Sequence, residues 1–107
     1  MELLPAALRE SLPALYSQER NPDPRVHLKF FTPDSNWTWF VTEGEQRDDD
    51  FLLFGFVCGF EEEWGYFVLS ELASAPGRGR MPVERDLYFR PGPFTEVIAR
   101  YRKERGQ

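Results

Sequence analysis

Val26-His27-Leu28-Lys29-Phe30-Phe31-Thr32-Pro33-Asp34-Ser35-Asn36-Trp37-Thr38-Trp39-Phe40-Val41-Thr42-Glu43 and, after an acidic connector, Phe51-Leu52-Leu53-Phe54-Gly55-Phe56-Val57-Cys58-Gly59-Phe60-Glu61-Glu62-Glu63-Trp64-Gly65-Tyr66-Phe67 decide the fold of this chain. They read as two consecutive β-hairpins that carry most of the aromatic side chains. In the first, Val26, Leu28 and Phe30 alternate with His27, Lys29 and Phe31, the two-residue period of a strand with one buried face. Pro33 to Asn36 supplies turn chemistry, and the return strand sets Trp37, Trp39 and Val41 against Thr38, Phe40 and Thr42. Residues 44–50 are polar and end in three aspartates, so a solvated loop is expected there. Residues 51–60 are apolar on both faces, as in a strand covered on both sides, with Glu61-Glu62-Glu63 as the turn into a return strand over 64–69.

Outward from these hairpins, Leu4, Leu8, Leu12, Leu15 and Tyr16 recur at helical spacing. Pro13 interrupts that spacing, because proline removes a helical hydrogen bond. A short helix opening at Pro5 and a second turn opening at Pro13 are expected. Asn21-Pro22-Asp23-Pro24 turns the chain into the first strand. Beyond the second hairpin, Ser70 caps a helical turn over 71–75, residues 76–80 form a Gly/Arg loop, and 83–89 form a candidate edge strand. Pro91-Gly92-Pro93 ends it. Phe94, Val97, Ile98 and Tyr101 then follow at i, i+3, i+4 and i+7, with Glu96 and Arg100 paired across one turn of an amphipathic helix. The expected architecture is a single α+β domain over 1–107: an antiparallel sheet of two aromatic hairpins plus an edge strand, packed with N-terminal helical turns and a C-terminal helix.

Of the 107 residues, 41% are hydrophobic and 16% aromatic, which excludes wholesale disorder. Cys58 is the only cysteine, ruling out an internal disulfide or a multi-cysteine zinc site. No basic segment followed by a long apolar run opens the chain, and no stretch approaches the ~20 apolar residues of a membrane span, so a soluble cytoplasmic protein is expected. The formal charge is −5. Residues 1–75 carry −9 and residues 76–107 carry +4, counted from the same sequence. A net acidic chain is a poor general binder of nucleic acid, since phosphate contacts supply most non-specific affinity.

Phe31-Thr32-Pro33-Asp34, Trp39, Thr42-Glu43, Phe54-Gly55, Glu63-Trp64-Gly65-Tyr66, Leu69-Ser70-Glu71-Leu72, Pro82-Val83-Glu84-Arg85-Asp86-Leu87 and Phe89 occur in an order that covers nearly the whole chain. In these residues the chain resembles the bacterial domain-of-unknown-function family numbered twenty-nine fifty-eight, whose members are carried largely on plasmids, integrative elements and phages. The resemblance implies no activity and no catalytic residues. It implies a genomic setting in which genes encode counter-defence, plasmid maintenance or DNA-handling accessories. The aromatic enrichment and the basic Arg78–Arg80 loop depart from the family pattern.

Each chemical signal has a structural counterpart. His27, the only histidine, lies opposite Val26 and Leu28 and reads as a half-exposed strand residue. No zinc, calcium or phosphate-loop spacing is present, and no cofactor is implied. Glu84-Arg85-Asp86 puts two acids on one side of a strand, where they would share a proton or hold a divalent metal; a salt-bridged edge strand explains them equally, with Arg85 paired to Glu43 or Glu71. Phe31 and Phe40, with Arg78, Arg80, Arg100 and Arg102, would make a stacking surface for single-stranded nucleic acid. Asp48-Asp49-Asp50 and Glu61-Glu62-Glu63 lie at opposite ends of one strand as fixed negative epitopes for a protein partner. The leading expectation is a non-enzymatic accessory protein that binds a host or element-encoded protein through charged surface. Single-stranded nucleic-acid binding and a metal-dependent hydrolase or nuclease using Glu84 and Asp86 are the alternatives.

Overall fold

The computed structural model describes residues 2–33, 36–74 and 81–107. Its centre is an antiparallel five-stranded sheet in the order β5-β4-β3-β2-β6, formed by β2 (Leu28–Phe31), β3 (Thr38–Arg47), β4 (Asp50–Cys58), β5 (Glu62–Val68) and β6 (Glu84–Arg85). Two further two-residue strands, β1 (Arg25–Val26) and β7 (Gly92–Pro93), pair with each other. The helices are α1 (Ala6–Ser11), α2 (Leu69–Ser74) and α3 (Phe94–Glu104).

Both expected hairpins form, with Phe30 opposite Trp39 and Phe56 opposite Trp64. They are joined differently from the expectation. Instead of a solvated loop over 44–50, β3 runs on to Arg47 and turns back through Asp48 and Asp49, so that Arg47 faces Asp50 and all four strands form one meander. Residues 45–47 read as loop because this end of the hairpin projects beyond the core and its side chains are largely exposed. Asp48 makes the turn with φ 52°, a left-handed conformation that aspartate tolerates better than most residues. Glu62 and Glu63, expected in a turn, belong to β5.

The sheet is covered on both faces. Leu28, Phe30, Trp39, Val41, Phe51 and Leu53 pack under Leu3, Leu4, Leu12, Leu69 and Leu72, from the N-terminal segment and α2. On the opposite face Phe40, Phe56 and Cys58 pack under Val97, Ile98 and Tyr101 of α3. Val26 belongs to this second cluster and not with Leu28 and Phe30. The alternation expected from Val26 onward is broken at His27, where the chain leaves the main sheet so that β1 can pair with β7. The segment expected to be an edge strand over 83–89 pairs with β2 only through Glu84 and Arg85.

Two helices are held by carboxylates from elsewhere in the chain. Asp23 accepts from the amide and the hydroxyl of Thr95, both at 2.8 Å, in the first turn of α3. Asp50 accepts from the amide of Ser70 at 3.1 Å and from its hydroxyl, at the start of α2. Negative charge at a helix N-terminus meets unsatisfied amides and the positive end of the helix dipole. Glu96 and Arg100 pair as expected, at 3.8 Å.

Gly55 pairs with Val41 where β4 lies against the bulge of β3, and a Cβ there would sit 1.9 Å from the Phe40 carbonyl oxygen. Among the described residues nothing lies within 4 Å of the corresponding position at Gly65. Gly55→Ala should therefore lower stability by at least about 1–3 kcal/mol, the cost of overpacking, while Gly65→Ala should leave it unchanged or raise it by up to about 1 kcal/mol. Urea denaturation of the two variants beside the parent measures both.

Candidate functional site

The face of the sheet that carries α3 also holds a cleft of about 310 Å³, lined by Tyr16, Gln18, Glu19, Asn21, Pro22, Pro24, Thr42, Glu43, Phe54, Trp64 and Tyr66. It exists because β3 changes phase. Val41 pairs with Gly55 and Glu43 with Phe54, leaving Thr42 as a β-bulge. In a regular strand Glu43 would point into the core with Trp39 and Val41. The extra residue turns it to the cleft side, and Gly44, next in line, faces the core where a Cβ would lie 2.5 Å from the Phe51 ring.

Glu43 is only 4% exposed. Its Oε1 accepts from the Tyr16 amide and its Oε2 from the Gln18 amide, each at 2.8 Å. A carboxylate has about four lone-pair sites, so each oxygen retains capacity toward the cleft. Tyr16 adopts φ 70°, a conformation that costs a non-glycine residue about 1–2 kcal/mol, and the two charge-assisted bonds from Glu43 hold the turn in it. Gln18 completes the wall: its side-chain amide donates to the Thr42 carbonyl at 2.8 Å and to the Arg25 carbonyl at 3.0 Å, and its oxygen accepts from the Arg25 amide at 2.7 Å. The bulged residue is thereby tied to β1.

Aromatic rings form the other side. Phe54 stacks on Trp64 with centroids 5.8 Å apart, Phe54 and Tyr66 are 4.8 Å apart, and Tyr16 leans over Tyr66 at 6.4 Å. Trp64 is 39% exposed and Tyr66 51%, so both rings present surface to the cleft. The neighbouring Tyr16 hydroxyl lifts the Tyr66 phenol above its ordinary pKa, assisted by desolvation and by the carboxylates of Glu43 and Glu19. No lysine or arginine is among the described residues that line it. The cleft is aromatic in its walls and negative in its floor.

The residues singled out from sequence are dispersed. Asp50 caps α2 and also accepts from the Phe51 amide at 2.8 Å, and the Ser70 side chain followed by the Phe51 amide holds its carboxyl below the usual aspartate range. Asp48 and Asp49 are exposed in the β3–β4 turn. Glu62 pairs with Arg102 at 2.7 Å, while Glu61 and Glu63 are exposed. Asp86 pairs with Lys29 at 3.5 Å and accepts from the Tyr88 amide; Glu84 is half-buried in β6. Arg85 donates to the carbonyls of Glu2 and Leu3; of the two partners expected for it, Glu43 or Glu71, Glu43 instead holds two backbone amides. Among the described residues no three His, Cys, Asp or Glu side chains converge as metal ligands.

Phe40 does not face outward. It is 1% exposed, with its ring 5.2 Å from Tyr101 of α3, because that helix covers the face on which a free aromatic was expected. Phe31 is half-buried beneath the Lys29 ammonium. Arg100 donates to the Arg90 carbonyl, and Arg78 and Arg80 lie outside the described residues. Burial and Arg25 keep His27 below the ordinary imidazole range. Burial, then Glu62, pushes the Cys58 thiol up to about 11, so it stays protonated at neutral pH and is a poor nucleophile. Glu43 was legible only as an anomaly, a carboxylate in phase with Trp37, Trp39 and Val41.

Together these features define a small α+β domain whose antiparallel sheet carries an acid-floored aromatic cleft at a β-bulge. The chain belongs to the family described as protein of unknown function (DUF2958), which matches residues 3–106. No curated protein and no solved structure matches it. Among the described residues no helix is long and apolar enough to cross a membrane.

Glu43→Ala should lower stability by about 1–3 kcal/mol for each amide left unsatisfied, and Glu43→Gln by less, as read from urea midpoints. Asp50 gives a pH signature. Its folded pKa is depressed below 3.8, so its contribution is present above that value and is lost as pH falls through the lower folded value. Asp50→Asn should flatten the acid limb of thermal stability measured from about pH 6 to about pH 2.5.

Proposed function

We propose that this protein is a non-enzymatic accessory of a mobile genetic element, acting by binding a host or element-encoded protein. The observation that carries this reading is the cleft with Glu43 at its floor and Trp64, Tyr66, Phe54 and Tyr16 at its sides. Aromatic faces attract a cation within about 6 Å of the ring, and a buried carboxylate with spare lone pairs accepts hydrogen bonds from a guanidinium or ammonium. A basic side chain of a partner protein suits both. A phosphate would meet two glutamates, Glu19 and Glu43, and no cationic lining residue. The family supports the mobile-element setting through the resemblance set out above. The absence of an assigned activity in the family description is neutral between binding and catalysis.

The test is an NMR titration with N-acetylarginine methylamide, with N-acetylglutamate methylamide as the control. Only the arginine compound should shift the Trp64 indole signal and the Tyr16 and Gln18 amides, and Glu43→Gln should weaken binding about ten-fold, equivalent to about 1.4 kcal/mol. Equal response to both compounds, or saturation by a mononucleotide in their place, would overturn the reading.

A further inference from the structure

β5 is an outer strand of the main sheet, with β4 on one side and no strand on the other among the described residues. Its seven residues, Glu62–Val68, pair with β4 without a register shift, and contain no proline or lysine. Bulges, prolines, charged side chains and short length are the devices by which proteins blunt an edge against strand pairing; of these β5 carries only charge, at Glu62 and Glu63 where it starts.

Antiparallel geometry shows which of its backbone groups face outward. The Gly59 amide donates to the Glu61 carbonyl at 3.0 Å, which makes Cys58 and Glu62 a non-hydrogen-bonded pair and Val57 and Glu63 a hydrogen-bonded one, given their register. Alternation then directs the amides and carbonyls of Glu63, Gly65 and Phe67 toward β4, and those of Trp64 and Tyr66 away from the sheet. At the midpoint Gly65 has no side chain to crowd an incoming strand, and none of the described residues occupies its place.

The charge around this edge selects its occupant. Glu61 and Glu63 stand exposed at its start, with Glu62 between them paired to Arg102. Asp48, Asp49 and Asp50 stand at its end, because Leu52 pairs with Val68 and Asp50 binds Ser70. Seven residues separate the two groups by roughly 20 Å. A second copy pairing antiparallel through β5 would bring the glutamates of one chain toward the aspartates of the other, where like charges repel.

We infer that β5 accepts an extended segment of a partner protein as a sixth strand, one with basic residues at both ends and uncharged β-forming residues between them. Such augmentation takes affinity from main-chain hydrogen bonds and specificity from the flanking side chains. The inference shares with the proposed function the premise of a protein partner, but uses the sheet edge and not the cleft floor.

The probe is the acetylated, amidated peptide Lys-Arg-Thr-Val-Thr-Val-Thr-Arg-Lys, followed by amide hydrogen exchange. In the free protein the Trp64 and Tyr66 amides should exchange fast and those of Glu63, Gly65 and Phe67 slowly; the peptide should slow Trp64 and Tyr66 at least about ten-fold. N-methylation of one alternate set of peptide residues should abolish the effect and of the other set preserve it. Replacing the terminal basic residues with glutamate should weaken binding at least about ten-fold, and saturating N-acetylarginine methylamide should leave the peptide's slowing of Trp64 and Tyr66 unchanged, separating this result from that of the cleft. Equal effects of the two methylated sets, no slowing at Trp64 and Tyr66, or protection of these amides in the free protein that grows with its own concentration would each overturn the inference, the last in favour of self-pairing.

Discussion

Glu43 and the Thr42 bulge are the constraint on which the described face of the sheet depends. A carboxylate taken out of water needs compensation, and here it comes from the Tyr16 and Gln18 amides at 2.8 Å. The dependence is mutual. Without the bulge Glu43 would enter the leucine-rich layer beneath α1; without Glu43 the left-handed turn at Tyr16 would lose the bonds that hold it. Gln18, fastened to Thr42 and Arg25, carries the constraint outward to β1, whose pairing with β7 leads directly into α3.

The second layer of organisation is aromatic. Trp64 contacts Phe54 and Phe56 of β4 and also Phe94, the first residue of α3, at 4.7 Å. The wall of the cleft is thus continuous with the core, and pairs of this kind contribute about 0.5–1.5 kcal/mol beyond area burial. A cleft wall built this way is positioned by packing, and the Glu43 floor is positioned by hydrogen bonds. Shape and charge at the site have separate structural supports.

Period and turn chemistry made much of this fold readable. Phe30, Trp39, Val41 and Phe40 fall on the faces that simple alternation assigns them, and Phe94 to Tyr101 form the helix that their spacing implies. Three features escaped because they arise from non-local geometry. The β3–β4 turn uses Asp48-Asp49 and lacks the glycine that usually marks a two-residue hairpin loop. Alternation alone leaves Phe40 on a free face, because no local signal says which face a distant helix will cover. The cleft depends on Glu43, Gln18 and Tyr16, brought together across 27 positions between Tyr16 and Glu43. The acidic runs were visible as charge, but their placement at the two ends of an open edge required the strand order.

The anchoring of the helices by Asp23 and Asp50 also bears on the order of assembly. Isolated helices shorter than about 12–15 residues are marginal in water, and α2 has six residues and α3 eleven. Neither can persist before its anchor is in place, and Asp50 is fixed only when the β3–β4 turn has closed. Both helices therefore draw their persistence from groups far away in the chain, and α2 in particular from the closed β3–β4 turn that presents Asp50.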